Sequence, residues 1–482
     1  MVATRSQLRA AGSTTQHAPA EPVTIPYLPP EILRIIAQYI NTEDLPAYRL
    51  VSKLCASIGA EELFSSIAFH CSSASVARID AIKACEHLNK VVTSLVWDAN
   101  FWSIPNVRDL HEWRGYFKAK AFATSKPMEV GDNFGTDEVV QLAHCRHAWV
   151  DYLSRVKDEK AVKRGSNMQK VLQGFQNLHK LHILNGGFKR RHRAIGKSSD
   201  WVDLPAPPAS HYRGESLYND GPTVARLQRP GAYPFHILQN FSDNGPHLTK
   251  LRLDAVCCSA FSGQIDRSPL LETLLSFHIR LTIRFEHHWP DSPLHDRPFH
   301  SQSITNHVHD ATQALNNRNF TAFLRRLTKL ESLKIEFDGP VYNEDGRLQS
   351  PFNVRDIAYD NYTWPHLRKL KLRQLDTTSA ALLSLLEAQR STLRVLKLYN
   401  IWFLPESYVT RLDHTAIKPA PSDVLRRLAE TLRLDQAGLS GLFGPGPTLP
   451  GEWWDFTDPC LSNAVEDYLL NGGSLPKNTT YG

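Results

Sequence analysis

Metal-capable side chains crowd one short stretch of this sequence. "HHWPDSPLHDRPFH", residues 287–300, holds His287, His288, Asp291, His295, Asp296 and His300. Imidazoles and carboxylates bind zinc when they converge on one point, which from a helix needs i, i+4 spacing or a second matching cluster. Neither is present, so these residues read as surface histidines. His144, Cys145 and His147 lack a complementary cluster in the same way and read as core or surface residues. "GLFGPGPTLPG", residues 441–451, has the glycines of a phosphate loop, but three prolines remove the amide donors such a cradle needs. Phosphate loops, dinucleotide fingerprints, nucleophile elbows and zinc-protease helices are absent with their required flanks. The expectation is a protein with no catalytic residue, no metal and no cofactor. An enzyme with an unrecognised site in its loops is the competing class, and its mark would be a pocket of convergent polar groups with perturbed pKa values.

The bulk properties narrow the class further. A chain of 482 residues, 42% hydrophobic and 22% charged, can bury a large core and should form at least two packed units. No apolar run reaches the length of a membrane span. The seven cysteines, at 55, 71, 85, 145, 257, 258 and 460, have no paired spacing and read as reduced thiols of the cytoplasm or nucleus. The net charge of +6 is spread along the chain and gives no reason to invoke nucleic acid. The densest basic run, "FKRRHR" at 188–193, reads as a solvated loop, with a nuclear-import patch as the alternative. Residues 1–24 read as a disordered tail, with a transit peptide as the alternative.

The elements come next. In "IPYLPPEILRII", residues 25–36, Pro29 or Pro30 fits the first turn of a helix, where amide hydrogens lack intrahelical partners, and Glu31 suits the positive end of the dipole. Ile32, Leu33, Ile36, Ala37 and Ile40 make one broad apolar face, and the helix should stop near Asn41. "TEDLPAYRLVSKLCASI", 42–58, repeats the logic: Thr42 or Asp44 caps, Pro46 sits in the first turn, and a break falls near Ser52. "ELFSSIAFH", 62–70, ends in a short β-like run. A unit of 45 or so residues has a marginal core unless something else covers its apolar faces.

The stretch from Ile25 to Phe69 resembles an F-box, the motif that docks proteins onto the Skp-family adaptor of Skp/cullin/F-box ubiquitin ligases. The resemblance is carried by Leu28 and Pro29, by Glu31, Ile32, Leu33 and Ile36, by Asp44 and Leu45, and by Arg49, Leu50, Val51, Ser52 and Lys53. Where the family usually has a bulky aromatic after the "VSK" element, this chain has Leu54 and Cys55. The resemblance implies that Leu28, Pro29, Ile32, Leu33, Ile36, Leu45, Leu50 and Val51 face the adaptor or support those that do. A helical hairpin that packs only on its own chain is the alternative.

Further on, a short pattern recurs. "LHKLHI" at 178, "LTKLRL" at 248, "LESLKI" at 330, "LRKLKL" at 367 and "LRVLKL" at 393 all fit L-x-x-L-x-(L/I), and "VTSLVW" at 92 and "LETLLS" at 271 are looser copies. In a strand the last two apolar residues share one face, while Lys180, His182, Lys369 and Lys371 take the other and meet water. This is the pattern of a leucine-rich repeat, whose strands bury their apolar side only by stacking on neighbours. Only the last interval has the usual length, so long insertions or degenerate repeats fill the others. The Asn or Cys expected three residues after each strand is replaced by Gly186, Val256, Asp338, Leu375 and Ile401. Unrelated buried strands of an irregular α/β domain are the alternative.

Residues 137–162 carry the spacing of a long amphipathic helix. Segments 185–235, 287–300 and 338–365 read as long loops, and their aromatics, Trp201, Tyr212, Tyr218, Tyr233, Trp289, Tyr342, Tyr359, Tyr362 and Trp364, as partner anchors or as packing against the scaffold. "PSDVLRRLAETLRL" and "LSNAVEDYLLNGG" read as helices that cap the array, the second ending at Gly472. "VEDYLLNGGSLP" also resembles the tail of many fungal F-box proteins with degenerate leucine-rich repeats.

The expected architecture is therefore α/β. A tail at 1–24 precedes an F-box at 25–69, a helical or mixed connecting region at 70–177, and an irregular leucine-rich-repeat-like solenoid with long loop insertions at 178–482. The implied function is substrate recognition within a Skp/cullin/F-box ligase, with a Skp-family adaptor, through it cullin, and a protein target as partners, without nucleic acid or membrane. A non-ligase interaction scaffold is the runner-up.

Overall fold

The computed structural model describes residues 28–41, 43–98, 173–184, 247–262, 269–282, 311–337, 353–357, 362–403, 420–445 and 452–478, with two short strands and isolated positions between them. The "FKRRHR" run, the histidine-rich stretch at 287–300, the His144 to His147 group and most of the helix expected at 137–162 lie outside these residues. So do the tail and most of the aromatics expected in loops.

The chain divides into two compact units, residues 1–63 and 64–482. The first holds helices α1 (Pro30–Tyr39) and α2 (Leu45–Tyr48) and most of α3 (Lys53–Ser65). Pro30 takes the first helical position, and the Pro29 carbonyl accepts from the amides of Ile32 and Leu33 at 3.0 and 3.1 Å. The chain breaks at Ser52, whose hydroxyl accepts from the Cys55 amide at 3.1 Å and so caps α3. Asp44 precedes α2 without a side-chain capping bond, and Thr42 lies outside the described residues.

The second unit is organised by one ten-stranded sheet. Its strands are β1 (Ser66–His70), β2 (Ser94–Asp98), β3 (Lys180–Leu184), β4 (Lys250–Cys257), β5 (Ser276–Thr282), β6 (Ser332–Phe337), β9 (Lys369–Thr377), β10 (Val395–Phe403), β11 (Gln436–Gly444) and β12 (Trp454–Asp455). They lie side by side in chain order and are parallel as far as β11, while β12 closes that end antiparallel. A separate hairpin joins β7 (Val341–Tyr342) to β8 (Leu348–Gln349). Residues 66–69, read from the sequence as the end of the N-terminal unit, pair with β2 and open this sheet.

The L-x-x-L-x-(L/I) copies explain the alignment. Leu181, Leu251, Leu333, Leu370 and Leu396 share one register line, and Ile183, Leu253, Ile335, Leu372 and Leu398 share the next. All are buried, as are the leading leucines 178, 248, 330, 367 and 393. At roughly 1.5 to 3 kcal/mol per buried side chain, any slip by one residue would forfeit a whole inward row, so the register is fixed by the apolar pattern. The copy read as "LETLLS" is corrected here: Leu271 falls in a 3-10 turn, and the aligned residues are Leu274, Phe277 and Ile279. Phe64, Ile67 and Phe69 begin the series, and Leu434, Ala437 and Leu439 end it.

Among the described residues no asparagine ladder follows the strands, and in β9 to β11 the backbone takes another course. Gln374, Asn400 and Gly441 each adopt a left-handed backbone, with φ of 57°, 52° and 71°. Each bends its strand so that Leu375, Ile401 and Phe443, paired in register, turn back into the core. The Asn400 side-chain oxygen accepts from the Leu442 amide at 3.0 Å, and a Cβ on Gly441 would fall 1.9 Å from that oxygen. Only glycine fits there.

Helices pack on the apolar side: α4 (Ser73–Ala84), α5 (Glu86–Val91), α6 (Asn319–Arg325), α7 (Ser379–Ala388), α8 (Pro421–Thr431) and α9 (Pro459–Asn471). Phe320 and Phe323 of α6 meet Phe261 and Phe277 edge to face. Leu425, Leu428 and Leu432 point inward as expected, and α9 ends at Gly472 with φ 76°. Trp364 and Tyr362, read as anchor or packing residues, serve packing. Trp364 is fully buried and Tyr362 packs against the core.

The polar side carries buried carboxylates. Asp254, in the bulge of β4, accepts from His182 Nε2 at 2.7 Å and Arg252 Nε at 3.1 Å. Burial alone would raise its pKa, but the His182 hydrogen bond and the charges of His182 and Arg252 outweigh it and hold the carboxyl at about 2. A depressed folded pKa means stability that is complete above about pH 5 and lost as pH falls toward 2. Asp254→Asn should cost roughly 2 kcal/mol at neutral pH and flatten the acid limb of stability between pH 5 and 2, measurable by urea unfolding across that range.

Candidate protein-interaction surface

The N-terminal unit has a small core. Ala37 of α1, Leu45 of α2 and Ile58 of α3 are buried together, with Leu33, Ile40, Tyr48, Leu54 and Leu63 packed around them. The Tyr48 hydroxyl donates to the Leu33 carbonyl at 3.0 Å and ties α2 to α1. Burial, and then the Cys55 thiol, push that hydroxyl up to about 12, so it stays a donor throughout the physiological range. Arg34 Nε and Glu61 Oε2, 3.5 Å apart, link α1 to α3 at the surface. Such a partly exposed pair contributes little, in the range of about 0 to 1 kcal/mol.

What this core leaves uncovered is apolar. Leu28 just before α1, and Ile32, Ile35, Ile36 and Tyr39 along it, are exposed, beside the inward stripe of Leu33, Ala37 and Ile40. Between α2 and α3, Leu50 is 87% and Val51 72% exposed. Their turn is set by the Leu50 and Val51 amides donating to the carbonyls of Ala47 and Tyr48 at 3.0 and 3.2 Å. Single exposed leucines are ordinary, but seven large apolar side chains within one small unit mark a surface for association.

The eight residues singled out in the sequence now separate into roles. Leu28, Pro29, Ile32, Ile36, Leu50 and Val51 are exposed, Leu33 is half-buried, and Leu45 is 4% exposed and belongs to the core. Ile35 and Tyr39, not among the eight, are exposed on the same stripe. Their signal was the i, i+3, i+4, i+7 series 32, 35, 36 and 39, a second apolar stripe on a helix whose first stripe already served the core.

Gly59 controls the exposed turn. A Cβ there would lie 2.5 Å from Arg49 Cγ and 3.2 Å from Tyr48 Cδ1, so α3 can approach the turn only as glycine. Gly59→Val should destabilise the unit by about 1 to 3 kcal/mol and displace Leu50 and Val51, seen as lost amide-exchange protection in α1 and α3.

Among the described residues no group of three or more His, Cys, Asp or Glu is placed to hold a metal, and no helix is long and apolar enough to cross a membrane. Residues 25–61 match the F-box domain family. No curated protein matches the chain.

Proposed function

We propose, from the F-box domain that this chain carries at residues 25–61, that it is a target-recognition subunit of a Skp/cullin/F-box ubiquitin ligase. The outer stripe of α1 and the Leu50–Val51 turn dock on a Skp-family adaptor, which brings cullin. The parallel strands of the second unit act as an irregular leucine-rich-repeat-like solenoid that presents a protein target. The chain itself performs no chemistry in this reading.

One observation carries it: the segment with the family match is also the one whose exposed surface is aliphatic. The helices of residues 1–63 leave Ile32, Ile36 and Leu50 uncovered by their own packing. Completing the burial of such side chains at roughly 1.5 to 3 kcal/mol each can exceed the orientation cost of association. The test is retention of a purified Skp-family adaptor on the immobilised protein. Wild type should hold it and Leu28→Ala/Pro29→Ala should hold less. Equal retention by both would remove this site assignment.

A further inference from the structure

Six consecutive strands place a basic side chain at the same register position. His182 lies opposite Arg252, Arg252 opposite His278, His278 opposite Lys334, Lys334 opposite Lys371, and Lys371 opposite Lys397. With neighbouring strands about 4.8 Å apart, this ladder runs roughly 24 Å across the sheet. Two residues nearer the strand starts, Lys180, Lys250 and Lys369 extend it, and two residues further on stand Arg280 and Arg373. All these side chains take the face opposite the buried leucines. Arg252 and Arg373 are exposed, and Lys334, Lys371 and Lys397 are half-exposed.

Among the described residues, carboxylates pair with only part of this ladder. Between β3 and β10 the described carboxylates of these rows are Asp254 and Glu336, both buried, and Asp98 of β2, also buried, stands at the edge of the outermost row. Asp254 is held by His182 and Arg252. Glu336 Oε1 lies 2.5 Å from Lys334 Nζ and 4.0 Å from Arg373 Nη1, with His278 Nε2 3.3 Å from Oε2. Lys369, Lys371 and Lys397 form no ion pair among the described residues.

Like charges directly opposite on adjacent strands oppose folding. Burial first, then Lys397, Lys369 and Lys334, lower the proton affinity of Lys371. A row that folding alone would not favour implies a use in binding. Gly438 supports that, because a Cβ there would meet Lys397 Cγ at 3.2 Å, so the lysine stem lies flat over β11.

The geometry points to this face as the binding site for an aspartate- and glutamate-rich segment of the target protein, which deepens the ligase reading above and rests on it. Lysines on the last three rungs of the ladder are separate point charges suited to a row of carboxylates, whereas a phosphate is gripped best by bidentate arginine. Single-stranded nucleic acid needs aromatic platforms, and among the described residues of these rows Tyr399 is the lone Tyr, Phe or Trp.

The test uses the full chain and a fluorescein-labelled Glu/Ser peptide of about eight residues, long enough when extended to cover the ladder. Anisotropy should report binding that weakens with salt, and a Gln/Ser peptide should not bind. Lys371→Glu/Lys397→Glu should weaken binding at least about tenfold, Lys371→Gln/Lys397→Gln by less, and Arg426→Glu on α8 should leave it unchanged. The Gln pair decides the matter if the Glu pair fails to fold. Equal binding of the Gln/Ser peptide, undiminished binding in the Gln pair, or tighter binding of an oligothymidylate lost in the same variants would overturn the inference. Adaptor retention is measured in parallel. A chain that holds the adaptor but not the acidic peptide refutes this inference alone, and the reverse result refutes the ligase reading alone.

Discussion

Ile36→Asp combined with Leu50→Asp is expected to abolish adaptor binding, raising Kd at least a hundredfold, while the protein stays folded. Leu50 is almost wholly exposed and Ile36 is open by 38%, so neither change touches the small core of Ala37, Leu45 and Ile58. Surface substitutions of this kind usually stay within about 0.5 kcal/mol of wild-type stability. In the complex the same two positions lose roughly 1.5 to 3 kcal/mol each of apolar burial and place two carboxylates in a dry contact. About 3 kcal/mol already corresponds to more than a hundredfold in Kd. Titration calorimetry reads the affinity, and amide exchange over α1 and α3 reads folding. Leu45→Asp is the contrast. It puts a charge in the core and should lose exchange protection as well as binding. If the double variant binds like wild type, the exposed stripe is not the docking face.

Trp364→Ala should be the most damaging single substitution in the strand array, at about 3 to 5 kcal/mol. The side chain is fully buried, and its indole Nε1 donates to the Leu324 carbonyl at the end of α6 at 3.2 Å. Its amide donates to Gln389 Oε1 at 3.0 Å, and Gln389 Nε2 donates to the Tyr362 carbonyl at 2.8 Å. Tyr362 in turn donates its hydroxyl to the Arg325 carbonyl at 3.0 Å and meets the indole edge to face at 5.2 Å. Removing the ring therefore leaves a cavity and an unpaired carbonyl where the loop before β9 joins α6 to the end of α7. Trp364→Phe keeps most of the packing and should cost about 1 to 3 kcal/mol, chiefly for the orphaned acceptor. Urea unfolding gives the magnitudes, and exchange rates in β9 and α7 show where the damage begins. Equal stability of Trp364→Ala and wild type would contradict this account.

The local signals in the sequence were strong where one physical cause acts alone. Tandem prolines followed by Glu31 place the start of α1, and each strict L-x-x-L-x-(L/I) copy lies on a strand with its leucines inward. Copies that replace leucine with another apolar residue escaped that pattern. Phe277 stands in for leucine in β5, Ile67 and Phe69 in β1, and Ala437 in β11. Inward positions select for volume and burial rather than for one side chain, so a pattern written in leucine undercounts the strands. The basic ladder was illegible for a different reason. Lys371 was visible as an outward residue, but its meeting with Lys334 and Lys397 depends on how segments of very unequal length return each strand to the same height. The net charge of +6 contains no such information. Ile35 and Tyr39 were hidden because a helix apolar on two sides was read as having one broad apolar face.

Parallel strands laid down strictly in chain order have a consequence for biosynthesis. Within the ten-stranded sheet, each strand from β2 to β11 finds a pairing partner among residues already translated, so the sheet can lengthen rung by rung as the nascent chain leaves the ribosome. The most recently added edge stays open until β12 pairs with it from the opposite direction. Messages truncated before Trp454 would therefore release chains with a bare sheet edge, the form that chaperones and proteases should intercept first.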